Sequence, residues 1–202
     1  VVQLVLVRHA LPERTRSETG GVDPVLTAAG HRQAAALAGY LRNEPVQAVV
    51  ASPMARARQT AAPLAAALGL TVEIDDGLVE YDSGHSSYVP VHEMREADPV
   101  LWQQLMRGEL PAGVDAAAFR ARVVAALDRI AARYPGRQSV AVICHAGVIN
   151  AALAAFLAIE RGLPFAVDYC GVSRVLAMRD GRRAILCVNE TAHVRALLPT
   201  VG

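Results

Sequence analysis

Lysine is absent from this 202-residue chain, whose 20 basic residues are all arginine. With alanine and valine abundant, that reads as coding bias in a GC-rich genome and points to a bacterial source. Charge of one sign is not in excess either. The formal net charge is +1, without the clustered positive surplus of a nucleic-acid footprint, so no nucleic-acid partner is expected. Cysteine is scarce: Cys144, Cys170 and Cys187 are odd in number and lack paired spacing. That excludes a disulfide framework and fits buried thiols in a reducing cytosol. Long apolar runs are missing as well. The stretch from Val1 to Val7 is too short to span a membrane and has no basic leader or small-residue cleavage site. No membrane partner is expected, and the cytoplasm is the default compartment. No two histidines have the helical i, i+4 spacing of a ligand pair, so no metal site is expected.

What is present is a chain 53% hydrophobic and 19% charged, free of repeats and of Pro/Gly/Ser-rich linkers. It suits one domain over residues 1–202 around one sizeable core. Residues 1–7, 46–51 and 139–144 read as buried strands, short, β-branched and nearly all apolar. A short strand is expected at 72–74. Thr27 reads as the N-cap of a helix to about Arg42, with Ala34, Leu37 and Leu41 on one face. Ser52 reads as the cap of a second helix, with Pro53 in its first position and Gly69 near its end. Further helices are expected at about 90–106, interrupted by Pro99, and at 115–134 and 146–158. Residues 173–178 and 184–189, around Asp180-Gly181, read as a closing hairpin. Alternating strands and helices imply a three-layer α/β/α sandwich with a mostly parallel sheet, made mixed by the hairpin.

The polar residues fall at strand ends. Arg8 and His9 follow the first strand, Ser52 and Arg56 the second, and His145 the third. Ligands of open α/β sheets bind at the carboxyl ends of strands, where helix N-termini also point. Two arginines and two histidines converging there suit an anion, phosphate in particular. Neutral imidazole is also a competent nucleophile, and arginines would stabilise the charge of a phosphoryl transition state. A carboxylic acid is then needed to protonate the leaving oxygen. Glu80 is the natural candidate, with Asp82 in reserve.

These residues carry a resemblance. Val7-Arg8-His9-Ala10 resembles the R-H-G signature of the histidine phosphatase superfamily, the phosphoglycerate-mutase-like proteins. Residues 23–30 with Gln33-Ala34 resemble its D-x-x-L-T-x-x-G-x-x-Q-A segment, and residues 52–60 its S-x-x-x-R-A-x-Q-T block. Leu78-Val79-Glu80 is similar to the L-x-E that supplies the acid, and residues 144–149 to the late H-G-G-V-I element. The motifs stand in family order over nearly the whole chain. The resemblance implies that His9 is phosphorylated, that Arg8, Arg56 and His145 hold the phosphoryl oxygens, that Glu80 gives the proton, and that no cofactor or metal takes part. Three departures stand out. Ala10 and Ala146 replace glycine. Pro12 replaces a threonine whose hydroxyl Thr15 or Ser17 could supply. Gly84-His85-Ser86-Ser87-Tyr88 replaces G-x-W-E-G, which brings His85 and, further on, His92 to the mouth of the expected site as substrate contacts.

His31 and His193 read as structural, Arg58 points away from Arg56, and Cys144 is expected in the core. Residues 81–118 are expected to cover the site. They hold Arg95 and Arg107 against Asp82, Glu93, Glu96, Asp98, Glu109 and Asp115, two positive against six negative, for a formal −4. Such a cover disfavours a bisphosphorylated or carboxylated substrate. A phosphatase acting on a small phosphorylated molecule is therefore preferred to a phosphoglycerate mutase. A phosphate- or phosphoprotein-binding module without catalysis is the remaining alternative, and an apolar hairpin or helix face would support a homodimer.

Overall fold

The computed structural model describes residues 1–136 and 138–199; residue 137 and residues 200–202 of the expected domain span lie outside the described residues. Six strands form the central sheet in the order β4-β3-β6-β1-β7-β8. They are β1 (Val2–Arg8), β3 (Val46–Ala51), β4 (Val72–Ile74), β6 (Ser139–Cys144), β7 (Val172–Ala177) and β8 (Arg183–Glu190). The first four in spatial order run parallel, and β7 and β8 add an antiparallel hairpin. A separate two-stranded ribbon pairs β2 (Thr15–Arg16) with β5 (Ser87–Tyr88). This ribbon was not anticipated, because two-residue strands carry no periodicity.

Alternation along the buried strands divides the core. Leu4, Leu6, Val50, Val140 and Val142 face α5 (Ala116–Arg133) and α6 (Ala146–Phe156). Val5, Val7, Val49, Ala141 and Ile143 face α1 (Ala28–Leu41) and α2 (Ala55–Leu68). The three-layer α/β/α sandwich with a mostly parallel, mixed sheet follows from that division. Among the described residues, no helix is long and apolar enough to cross a membrane.

Two helix boundaries correct the sequence reading. Ser52 does not cap α2, and Pro53 is not its first residue. The N-cap is Met54, whose side chain makes no cap bond. Asp23 supplies the missing acceptor from a distant loop, taking the Ala55 N–H at 2.9 and 3.0 Å. The helix expected at 90–106 is interrupted at Pro99 as anticipated, but its first part is divided further, into a 3-10 turn (Val91–Glu93) and α3 (Met94–Ala97), before α4 (Pro99–Met106). Pro99 forces the preceding residue out of helical conformation. Asp98 (φ −149°, ψ 85°) then restarts the helix as its cap, accepting the Leu101 N–H at 2.9 Å.

The connectivity explains why distant residues meet. β6 lies between β1 and β3, and the three strands end in register: Arg8 opposite Cys144, Ala51 opposite Ile143. The ladder continues just past their ends, with His9 N–H donating to Cys144 O at 2.9 Å and Ser52 N–H to Ile143 O at 3.0 Å. His9, Ser52 and His145 therefore stand side by side at one edge of the sheet.

Candidate active site

The turn after β1 is held from two sides. Ala10 N–H donates to Thr60 Oγ1 at 2.9 Å, and that hydroxyl donates to Arg56 O at 2.7 Å. Leu11 N–H donates to Gln33 Oε1 at 2.8 Å, and Leu11 O accepts from Thr27 N–H at 3.0 Å. The first turn of α1 lies so close to this loop that a Cβ on Gly30 would be 2.2 Å from Leu11 O. The threonine, glycine and glutamines of the two motif blocks thus act as a clamp on the residues after His9. Gln59 adds to it by accepting Leu26 N–H at 2.7 Å.

His9 is buried, 3% exposed. Its Nδ1 lies 2.7 Å from Ala10 O and its Nε2 3.3 Å from Arg56 Nε. A carbonyl can only accept and a guanidinium can only donate, so the proton is on Nδ1 and the lone pair on Nε2. Burial, then the charges of Arg56 and Arg8, hold the ring well below the ordinary imidazole value. His145 is fully buried, with its ring centroid 5.2 Å from that of His9. Burial and the charges of Arg56, Arg8 and Arg122 keep it neutral too. Its Nε2 is 2.8 Å from Ser52 Oγ. Ser52 Oγ also accepts Met54 N–H at 3.4 Å, which leaves its own O–H to donate to His145 Nε2.

Arg8 donates from Nη1 to Val167 O at 2.6 Å and stacks on Tyr169, its Cζ 3.9 Å from the ring centroid. Arg56 is 1% exposed, lies 4.8 Å from the Tyr88 ring centroid, and donates from Nη2 to Asp82 Oδ1 and Oδ2 at 2.8 and 3.0 Å. Two nitrogens of the cluster, Arg8 Nε and His145 Nδ1, are buried without a hydrogen-bond partner. Buried polar atoms are seldom left so, and two in one cluster mark where a ligand's acceptors fit.

Glu80 is buried beside them at the start of α6. Oε2 accepts Gly147 N–H at 2.8 Å and Oε1 accepts Tyr81 N–H at 3.1 Å. Burial foremost, then the Asp82 charge, push its carboxyl up to about 7. Position 147 must be glycine, since a Cβ there would stand 2.3 Å from Glu80 Oε1.

The structure thus brings together Arg8, His9, Arg56, Glu80 and His145, with Asp82 on Arg56. Thr15 and Ser17 are not part of this set. The Thr15 hydroxyl donates to Glu13 O at 3.4 Å, and Ser17 Oγ accepts Thr19 N–H at 3.3 Å, both within the loop leading through β2. Pro12, at the position where the resembled family has threonine, forms an isolated bridge with Leu26. His85 is exposed and lines a cleft of about 590 Å³ with Tyr81, Gly113, Phe119 and Arg122. His92 sits edge-on to Tyr169, centroids 6.4 Å apart. Sequence reasoning missed the contacts of both tyrosines with the arginines: Tyr169 lies in no motif, and Tyr88 stands in the segment that departs from the G-x-W-E-G pattern. It also missed the Ser52–His145 contact, although Ser52 stands in a motif block.

Comparison with known proteins shows the family. Residues 4–191 match the family model of the histidine phosphatase superfamily (branch 1). Bifunctional protein Rv2228c of Mycobacterium tuberculosis is 34% identical over 200 residues, covering 95% of this chain. The chain spans only 55% of that relative's length. Phosphoserine phosphatase 1 of Hydrogenobacter thermophilus is 31% identical over 202 residues, covering 96% of this chain and 95% of its own. Among solved structures, the mycobacterial glucosyl-3-phosphoglycerate phosphatase Rv2419c in complex with VO3 superposes with a TM-score of 0.76. It is 22% identical and covers 93% of this chain and 98% of its own, a likeness of fold.

Proposed function

Since the chain belongs to the histidine phosphatase superfamily, we propose that it hydrolyses small phosphomonoesters without a metal, through a phosphohistidine on His9. The carrying observation is the His9 ring itself: Nδ1–H fixed on Ala10 O, lone pair on Nε2, among Arg8, Arg56 and His145. In the first step Nε2 attacks phosphorus, the bond to the leaving oxygen breaks, and Glu80 gives that oxygen its proton. Arg8 Nε, His145 Nδ1 and Arg56 donate to the non-bridging oxygens. The imidazolium that forms spreads its charge toward Ala10 O through Nδ1–H. In the second step water attacks phosphorus, ionised Glu80 takes the water's proton, and His9 leaves neutral. Asp82, the reserve for the acid's role, has both its oxygens on Arg56 in this structure.

Residues 81–118 cover the site in this reading, and the cleft beside Tyr81 receives the leaving group, with His85 at its rim. Arg122 brings a guanidinium into that cleft from outside the covering segment. Its donors are tied to Gly77 O and Val79 O at 2.8 and 2.9 Å. Asp115 lines the same cleft, so a carboxylate offsets the guanidinium there, and a polar, weakly charged leaving group fits it.

The test is hydrolysis of p-nitrophenyl phosphate at mildly acidic pH in EDTA, with turnover expected from the wild type and none from His9→Ala. Turnover in His9→Ala ends the nucleophile assignment, and abolition by EDTA points to a metal enzyme. Robust conversion of 3- to 2-phosphoglycerate in the presence of bisphosphoglycerate would make the protein a mutase. Phosphate binding without any turnover would make it a binding module.

A further inference from the structure

The His9 lone pair is covered. Arg56 Nε–H lies on it at 3.3 Å, whereas attack requires phosphorus to stand about 3–3.5 Å from Nε2 along that same direction. The guanidinium must therefore move before chemistry begins. What holds it is Asp82, whose two oxygens accept from Nη2 at 2.8 and 3.0 Å. Nε–H and one N–H of Nη2 form a single edge of the guanidinium, the edge that fits two oxygens of a carboxylate or phosphoryl group. Here that edge is divided between an imidazole and a carboxylate.

Burial makes the two partners unequal. The Arg56 side chain is 1% exposed and the Asp82 side chain 18%. The arginine is thus sunk between His9 and the Tyr88 ring, and the carboxylate sits at the mouth. Among the described residues Asp82 is the carboxylate that forms an ion pair with Arg56. Glu80, the other carboxyl nearby, is tied to the Gly147 and Tyr81 N–H groups.

We propose that Asp82 is a latch on the phosphoryl seat: it occupies Arg56 in place of a phosphate, parks the guanidinium across His9, and yields when a phosphoryl group displaces it. The proposal rests on the phosphoryl-transfer reading above. A tetrahedral anion offers more negative charge and more acceptor oxygens than the carboxylate, and at the same stroke meets Arg8 Nε and His145 Nδ1, which are otherwise unpartnered. Displacement swings the Arg56 edge from His9 and Asp82 onto the phosphoryl oxygens and uncovers Nε2. Ligands without such an anion leave the latch shut. Asp82 is in this sense a positioning residue, acting through Arg56 on both phosphate affinity and nucleophile access.

The experiment measures binding of inorganic phosphate by calorimetry to the wild type, Asp82→Asn, Asp82→Ala and Glu80→Gln. It is run at about pH 8, above the Glu80 value of about 7, so that each change removes one negative charge. With the competing carboxylate gone, both Asp82 variants should bind phosphate about tenfold more tightly, about 1.4 kcal/mol. KM for p-nitrophenyl phosphate should fall in parallel, while Glu80→Gln, whose carboxylate accepts from the Gly147 and Tyr81 N–H groups and not from Arg56, should tighten phosphate binding less than either Asp82 variant. Unchanged or weaker binding in both Asp82 variants overturns the latch and leaves the phosphatase reading standing, as judged by wild-type turnover. Equal tightening in Glu80→Gln also overturns it, because the effect is then one of overall charge. Absence of phosphate binding in all four proteins overturns the latch and the phosphoryl-transfer reading together.

Discussion

Replacing Glu80 by glutamine should change stability in a way that depends on pH. The carboxyl stands at about 7 in the folded protein against an ordinary 4.5, burial being the first cause and the Asp82 charge the second. A group raised on folding contributes fully below its unfolded value, and that contribution is lost as pH rises through the folded one. The wild type should therefore lose stability between about pH 4.5 and 7, and the gap converts to about 3 kcal/mol. The Glu80→Gln variant has no carboxyl to ionise there and escapes this loss. It carries a different cost, because one of the two N–H donors, Tyr81 or Gly147, must now face an amide –NH2. That cost is about 1–3 kcal/mol at every pH. The difference between the two proteins should accordingly move by about 3 kcal/mol in the variant's favour from pH 4.5 to pH 8. For a domain of this size that is a relative shift of about 6–12 °C in Tm. Thermal or urea unfolding of both proteins across this range reads it directly. A stability difference that stays constant with pH would mean that Glu80 is ionised throughout, and so cannot supply the leaving group's proton at neutral pH.

Two further substitutions probe the supports of the site. Gly147→Ala places a methyl group 2.3 Å from Glu80 Oε1 and 2.7 Å from the Tyr81 ring. It should cost about 1–3 kcal/mol in denaturant unfolding and slow turnover of a poor leaving group about 100-fold or more. Alkyl phosphates compared with p-nitrophenyl phosphate test this, and equal losses on both would dissociate Gly147 from the proton donor. Ser52→Ala removes the partner of His145 Nε2 at 2.8 Å, so the ring no longer has its proton directed to Nδ1. A fall of about tenfold in kcat/KM is expected from the loss of one buried hydrogen bond, and an unchanged kcat/KM would show that the tautomer needs no such control.

The sheet and its helices were legible in the sequence because burial on both faces leaves near-continuous apolar runs, as at 139–144, and caps such as Thr27 and Asp115 mark helix starts. The strand ends were legible for the same reason, which is why Arg8, His9 and His145 could be placed from the apolar pattern alone. Ser52 misled because Ser-Pro is a local cap signal, whereas the cap acceptor for α2 is Asp23, which is distant in sequence. Periodicity could not locate the β2–β5 ribbon, whose form depends on contacts between short segments. Nor could it supply the role of Asp82, which exists only as a distance to Arg56. Tyr169 is the extreme case: a tyrosine in an irregular segment, brought into the site by the guanidinium stacked on it at 3.9 Å.

The proposed chemistry needs two protonation states at once, a neutral His9 and a protonated Glu80. At ordinary values, about 6.5 for imidazole and about 4.5 for the carboxyl, the two requirements exclude each other. Midway between them only about 1% of molecules would satisfy both. Burial inverts the order. It disfavours charge on either group, and so lowers the imidazole and raises the carboxyl. The neighbours then reinforce it with the appropriate sign: Arg56 and Arg8 act against a proton on His9, and Asp82 acts for one on Glu80. The competent form consequently becomes the dominant one over the interval between the lowered His9 value and about pH 7. The arginines that would grip the phosphoryl oxygens are the same charges that keep the nucleophile unprotonated. Binding and nucleophilicity are therefore coupled in this pocket, and exchanging either arginine for a neutral residue should weaken both.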